Sequence, residues 1–165
     1  MINIENKRVL FCDLDGTLIK TVSKAVFPKD VTDFQIRKDV LDKVKDLGCF
    51  THLAIVTNQA GIPKFVNKED FVAKLCCIAK FIEKYCSLNV KAVWCSSSDS
   101  NHPCRKPNPG MLEDLYEEYY DPMSKSMMMM IGDASGKPGC FSDSDLKCAE
   151  NFGIDYMDVE DFVML

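Results

Sequence analysis

The chain has 165 residues, 47% of them hydrophobic and 10% aromatic, enough for one domain with a sizeable core over residues 1–165 and too few for two ordinary ones. A formal net charge of −5 argues against broad adhesion to a nucleic-acid backbone, though it leaves room for a local basic pocket. No apolar run has transmembrane length, the start MINIENKRVL lacks a signal-peptide profile, and nine cysteines without disulfide-scaffold spacing fit a reducing compartment. The expectation is therefore an intracellular protein, nuclear or cytoplasmic, with no membrane partner.

In chain order, KRVLFCD (7–13) reads as a buried strand. The Asp-Gly that follows two residues later leaves two readings open. It could turn a type I′ hairpin, with Gly16 supplying positive φ, or it could lie just past a strand end where Asp13 and Asp15 project to one side. Val40, Leu41, Val44 and Leu47 mark a helix over 37–47 with Gly48 placed to end it, and FTHLAIVT (50–57) is a second strand. Asn67 can cap a helix whose first turn carries Glu69 and Asp70. Its apolar face runs through Phe71, Val72, Leu75, Ile78, Ala79, Ile82 and Cys86.

VKAVWC (90–95) is a third strand, Asn108 and Pro109 open another helix, and MMMMIGD (127–133) is a fourth strand whose methionines read as flexible core filling. A helix from about Asp145 to Phe152, stopped by Gly153, leads to a last strand near Ile154 to Tyr156. Buried strands separated by helices predict an α/β fold, a parallel sheet covered on both faces.

In such a sheet ligands bind beyond the carboxyl ends of the strands. Four polar clusters fall there: DLDGT (13–17), TNQ (57–59), RKPNP (105–109) and GD (132–133). A hairpin would account for the first alone, so the four together favour the strand-end reading. Their chemistry suits phosphoryl transfer. One carboxylate of the Asp13/Asp15 pair attacks phosphorus while the other protonates the leaving oxygen and later activates water. Asp133 would complete an oxygen cage for Mg²⁺, and Lys106 with the Thr57 hydroxyl would hold the remaining phosphoryl oxygens.

The order DLDGT, TNQ, RKP, GD resembles the four-motif signature of the haloacid dehalogenase (HAD) superfamily of phosphatases, along essentially the whole chain. That resemblance implies a three-layer Rossmann-like fold. It makes Asp13 the nucleophile that forms an aspartyl-phosphate, Asp15 the general acid/base, and Thr57, Asn58 and Lys106 the phosphate binders. Asp13, Asp133 and the main-chain carbonyl of Asp15 would ligate Mg²⁺. The short segments between motifs leave no room for a large cap domain, so a bulky substrate should enter.

Within the superfamily, the run IGDASGKPGCFSDSDLKCAENFGIDYMDVEDF from Ile131 is similar to the phosphatase domain of polynucleotide kinase 3′-phosphatases. That family has GDAxGR, a loop, an FSxxD segment and a terminal (P/D)EEF-like element; LIKTVSKAVFP (18–28) resembles the same family. The implied partner is a 3′-phosphorylated nucleic-acid end, DNA first, with Arg105 and Lys137 touching the substrate and no kinase half in this chain. Lys137 stands where the family has Arg, keeping a charge but losing the bidentate fork, and it reads equally as a solvated loop lysine. Asp145, matching the FSxxD acid, could orient the loop or a metal-bound water, or simply begin a helix.

The alternative is a small-molecule phosphatase of the histidinol-phosphate or heptose-bisphosphate type, because CRKPNPGML (104–112) is equally close to those enzymes, which carry a zinc loop before that motif. Here Cys95, His102 and Cys104 form incomplete halves of such a loop, with Asp99 a weak substitute for a fourth ligand. The reading preferred is a polar Ser-rich loop with incidental thiols. Cys12, beside the nucleophile, is expected to fill core.

Overall fold

The computed structural model describes residues 2–25 and 28–165. Val26 and Phe27, from the LIKTVSKAVFP stretch compared above, lie outside the described residues.

Five parallel strands form the central sheet: β1 (Val9–Cys12), β4 (His52–Asn58), β5 (Asn89–Cys95), β6 (Met128–Gly132) and β7 (Asp155–Asp158). They lie in the order β5-β4-β1-β6-β7, which puts β1 at the centre with β4 and β6 on its flanks. A separate antiparallel pair, β2 (Ile19–Lys20) with β3 (Gln35–Ile36), sits between β1 and the first helix. The sequence pattern did not predict this pair, because two-residue strands are too short to show an alternation.

Alternation within the strands explains why both faces need cover. Leu10 and Cys12 of β1, Leu53 and Ile55 of β4, and Met129 and Ile131 of β6 enter one core. Val9, Phe11, Ala54, Val56, Met128 and Met130 enter the other. Helices α1 (Lys38–Leu47), α2 (Lys68–Cys86) and α5 (Val159–Val163) contribute to the first core. Helices α3 (Gly110–Leu115) and α4 (Ser144–Phe152) contribute to the second. Phe11 meets the rings of Tyr120 and Phe152 edge to face at 5.8 and 6.1 Å, so its truncation to Ala should cost roughly 3–5 kcal/mol.

Gly48 ends α1 at φ +62° and Gly153 ends α4 at φ +86°, both as the sequence predicts. Asn67 caps α2, its side chain accepting from the Asp70 amide. Asn108 does not cap α3. Its side-chain amide donates to the carbonyls of Ser100 and His102 and so ties down the preceding loop, while Pro109 takes the position before the helix. Among the described residues no helix is long and apolar enough to cross a membrane. Among the described residues no cap domain follows the carboxyl ends of the strands, only the short β2–β3 pair, helices and loops.

Candidate active site

The chain leaves β1 at Asp13, whose amide donates to the Ile131 carbonyl of β6 at 3.1 Å. It then coils instead of turning back as a two-residue hairpin. The Leu14 carbonyl accepts from the amides of Leu18 at 2.9 Å and Ile19 at 3.1 Å, while Leu14 and Leu18 are both fully buried. Gly16 sits at φ +87°, and a Cβ there would lie 2.0 Å from Asp133 Oδ2, so this turn and the β6 loop touch without slack. The two carboxylates consequently occupy different surroundings. Asp13 is buried, whereas Asp15 is exposed and accepts from Gln59 Nε2 at 2.7 Å.

Lys106 is the hub of the site. Its ammonium, 3% exposed, donates to Asp13 Oδ1 at 2.6 Å, Asp145 Oδ1 at 2.7 Å and the Val56 carbonyl at 2.8 Å, using all three of its protons. Burial alone would lower its pKa, but Asp13 and Asp145 outweigh that and hold it above the ordinary lysine value. Asn58 fixes the backbone below. Its side-chain amide donates to the Lys106 carbonyl and accepts from the Lys106 amide, each at 3.0 Å. The side chain expected to bind phosphate is thus spent on orienting the lysine.

Thr57 is 1% exposed, and its hydroxyl accepts from Gln59 Nε2 at 3.0 Å. Gln59, the third letter of TNQ, bridges Thr57 and Asp15. Sequence reasoning did not single it out, although its place in the motif was the available signal.

Asp145 is 1% exposed and holds the Ala134 amide with its second oxygen at 3.1 Å. Gly132 makes space for it, since a Cβ there would lie 2.2 Å from Asp145 Oδ2. Asp13, Asp133 and Asp145 each offer an oxygen, all within 4.8 Å of one another. Burial raises Asp13 to about 8, with Asp145 and Asp133 adding to the rise against the pull of Lys106. Burial, then Asp145, raises Asp133 to about 6.

Three crowded carboxylates against one ammonium leave an anionic surplus, and an all-oxygen donor set suits a hard divalent cation such as Mg²⁺. Because both oxygens of Asp145 are already hydrogen-bonded, Asp13 and Asp133 are the better-placed ligands. The Asp15 carboxylate is not one of the trio; only its main-chain carbonyl was expected to ligate the ion.

Two expected substrate contacts are occupied within the chain. Arg105 donates to the Ser97 carbonyl at 2.8 Å. Lys137 pairs with Asp161 at 2.7 Å and Asp158 at 3.5 Å, and the Asp161 hydrogen bond raises its pKa. The thiol-imidazole loop does not converge. Cys95 Sγ lies 3.8 Å from His102 Nδ1, but that nitrogen also accepts the Cys104 amide, and the Cys104 thiol faces Asp114. Among the described residues the acid trio is the only such cluster with metal-binding geometry. Cys12 is fully buried in the core, and burial pushes its thiol up. A cavity of about 330 Å³ lined by Ser135, Lys137, Tyr156 and Asp161 holds none of Asp13, Asp15, Asp133 and Asp145.

A parallel sheet that gathers Asp13, Asp15, Asp133 and the buried Lys106 at its carboxyl edge has the arrangement of a HAD-type phosphatase. The fold agrees with the crystal structure of D,D-heptose 1.7-bisphosphate phosphatase from B. bronchiseptica, complexed with magnesium and phosphate. The TM-score is 0.68 at 19% identity, over 90% of this chain and 78% of that one. The family model described as polynucleotide kinase 3 phosphatase matches residues 8–163, and the chain belongs to that family.

Among curated relatives, the bifunctional polynucleotide phosphatase/kinase of Schizosaccharomyces pombe is 34% identical over 163 residues, 97% of this chain and 38% of that protein. The histidine biosynthesis bifunctional protein HisB of Campylobacter jejuni is 29% identical over 160 residues, 90% of this chain and 40% of that protein. The chain thus spans about two-fifths of the length of each.

Proposed function

We propose that this phosphatase removes 3′-phosphates from nucleic-acid ends, leaving the hydroxyl that polymerases and ligases require, with Mg²⁺ as its cofactor. The observation that carries the reading is the family match over residues 8–163, which takes in both the GDASGK loop and the terminal DVEDF element. The uncapped mouth agrees with it. Phe65 and Phe141, 86% and 80% exposed, stand on the loops that follow β4 and β6, the two strands flanking β1, where unpaired bases could stack.

In this reading Asp13 attacks phosphorus in line, the bond from phosphorus to the 3′-oxygen breaks, and Asp15 gives that oxygen its proton. Asp15 then takes a proton from water. The resulting hydroxide displaces Asp13 from the aspartyl-phosphate, and inorganic phosphate departs. Lys106 offsets charge on Asp13 and the phosphoryl group throughout, Thr57 donates its hydroxyl to a phosphoryl oxygen, and Gln59 aims Asp15. A divalent ion held by Asp13 and Asp133 would neutralise phosphoryl oxygens in this anionic setting.

Similarity to HisB supports a second reading, hydrolysis of a small phosphate ester. A panel of matched 3′- and 5′-phosphate oligonucleotides, histidinol phosphate and a heptose bisphosphate, each with Mg²⁺, separates the two. The 3′-phosphate should lead in kcat/KM by at least about tenfold, because remote nucleotide contacts add transition-state binding that a small ester cannot supply. A lead for histidinol phosphate or the heptose would transfer the assignment to the second reading.

A further inference from the structure

The terminal DVEDF segment, singled out in the sequence, has no part in the chemistry above, yet its acids reach both loops that carry the site. Val159 and Phe162 of α5 are 1% and 0% exposed and anchor the helix in the core. Its polar residues face outward from that anchor. Asp158 caps the helix by accepting the Glu160 amide at 2.9 Å, and together with Asp161 it holds Lys137 of the GDASGK loop.

Glu160 accepts from Arg37 Nη1 at 2.7 Å, and the same guanidinium nitrogen reaches the Gly16 carbonyl of the DLDGT turn at 3.4 Å. The Arg37 amide also donates to the Leu18 carbonyl at 2.9 Å, on the far side of that turn. The Arg37 side chain is only 3% exposed and touches none of the acid trio, so it has little surface to offer a substrate. A buried guanidinium costs free energy unless paired, and its partners Asp39 and Glu160 lie at the surface, holding it in one orientation.

We infer that Arg37 and Glu160 are positioning residues: anchored by α5, they set the gap between the Asp13–Gly16 turn and Asp133. The close approach of Gly16 to Asp133, which leaves no room for a Cβ, makes that gap sensitive, and Arg37 tethers the other side of the turn through the Gly16 and Leu18 carbonyls. An error of about 1 Å in such an alignment can cost on the order of a hundredfold in rate. This inference rests on hydrolysis at Asp13 and is indifferent to whether the leaving group is a nucleotide.

The test uses p-nitrophenyl phosphate, Mn²⁺ titration calorimetry and thermal melting on the full chain with Glu160→Ala, Arg37→Lys and Arg37→Met. Glu160 is 65% exposed at its side chain, so Glu160→Ala should stay folded. Its kcat should fall roughly three- to tenfold with KM within about twofold, and Mn²⁺ affinity should fall by a similar factor. Arg37→Met should lose on the order of a hundredfold in kcat, with Arg37→Lys between it and the parent. Wild-type kcat and Mn²⁺ affinity in folded Glu160→Ala and Arg37→Lys would overturn the inference. So would losses matched by the unfolded fraction. A parent that cleaves the small ester and ignores oligonucleotides would defeat the nucleic-acid reading and leave this one standing; were no ester cleaved, Mn²⁺ affinity alone would decide it.

Discussion

The floor of the site and its rim are built differently. On the floor, Lys106, Asp13 and Asp145 are buried and locked by hydrogen bonds of 2.6 to 2.8 Å. On the rim, Phe65 and Phe141 are almost fully exposed, and the basic residues Arg105 and Lys137 are paired within the chain. A rigid, preorganised floor can stabilise any phosphoryl group, whereas the rim must choose the ester. Substitutions on the floor should therefore cut turnover for every substrate, and those on the rim should discriminate between substrates.

The largest effect belongs to Asp13. Asp13→Asn should lower kcat by at least about a thousandfold on oligonucleotide and p-nitrophenyl ester alike, since in the proposed mechanism Asp13 is the group that accepts the phosphoryl group. Steady-state assays that retained more than about one per cent of activity would remove Asp13 from its role.

Lys106→Met comes next. It deletes the one ammonium between two buried carboxylates, so kcat should fall about a hundredfold or more on both substrates, and melting should show a loss of several kcal/mol. A change in KM alone would place Lys106 outside the transition state.

Phe65→Ala and Phe141→Ala would sharpen the contrast. Each should reduce kcat/KM for a 3′-phosphate oligonucleotide about tenfold, the scale of one stacked base, while p-nitrophenyl phosphate is unaffected. Equal losses on both substrates would mean that the rim does not read nucleotides.

The smallest effect is one of pH. In the metal-free protein Asp13 and Asp133 have pKa values raised to about 8 and about 6, so the folded state binds protons that the unfolded chain releases. Stability contributed by those protons is complete below the ordinary carboxylate range and is lost as pH rises through these raised values. Melting of chelated protein should therefore decline between about pH 5 and about pH 8, and Mg²⁺ should restore more stability at the higher pH, where it displaces fewer protons. A flat or rising profile without metal would show that the carboxylates are not crowded as described.

Much of the floor was legible because its motifs end buried strands. The runs VLFC and MMMIG fix where β1 and β6 stop, and the polar residue after each must then emerge at the carboxyl edge of the sheet. Pairings between distant segments were not legible. Nothing local marks Asn58 as the clamp on Lys106, Arg37 as the link from Gly16 to Glu160, or Lys137 as the partner of Asp161. A lysine in a glycine-rich loop reads as an anion site until the fold brings an acidic helix beside it. Asp145 lay between the two cases: the motif identified it, but only the fold joins it to Lys106 and Ala134.

Covalent trapping tests the central claim most directly. An oligonucleotide with a radiolabelled 3′-phosphate, mixed with protein and Mg²⁺ and quenched in acid within the first turnover, should leave label on the peptide containing Asp13 and none on Asp13→Asn. Brisk release of phosphate with no labelled peptide, or label on another residue, would contradict an aspartyl-phosphate formed at Asp13 from a nucleic-acid end.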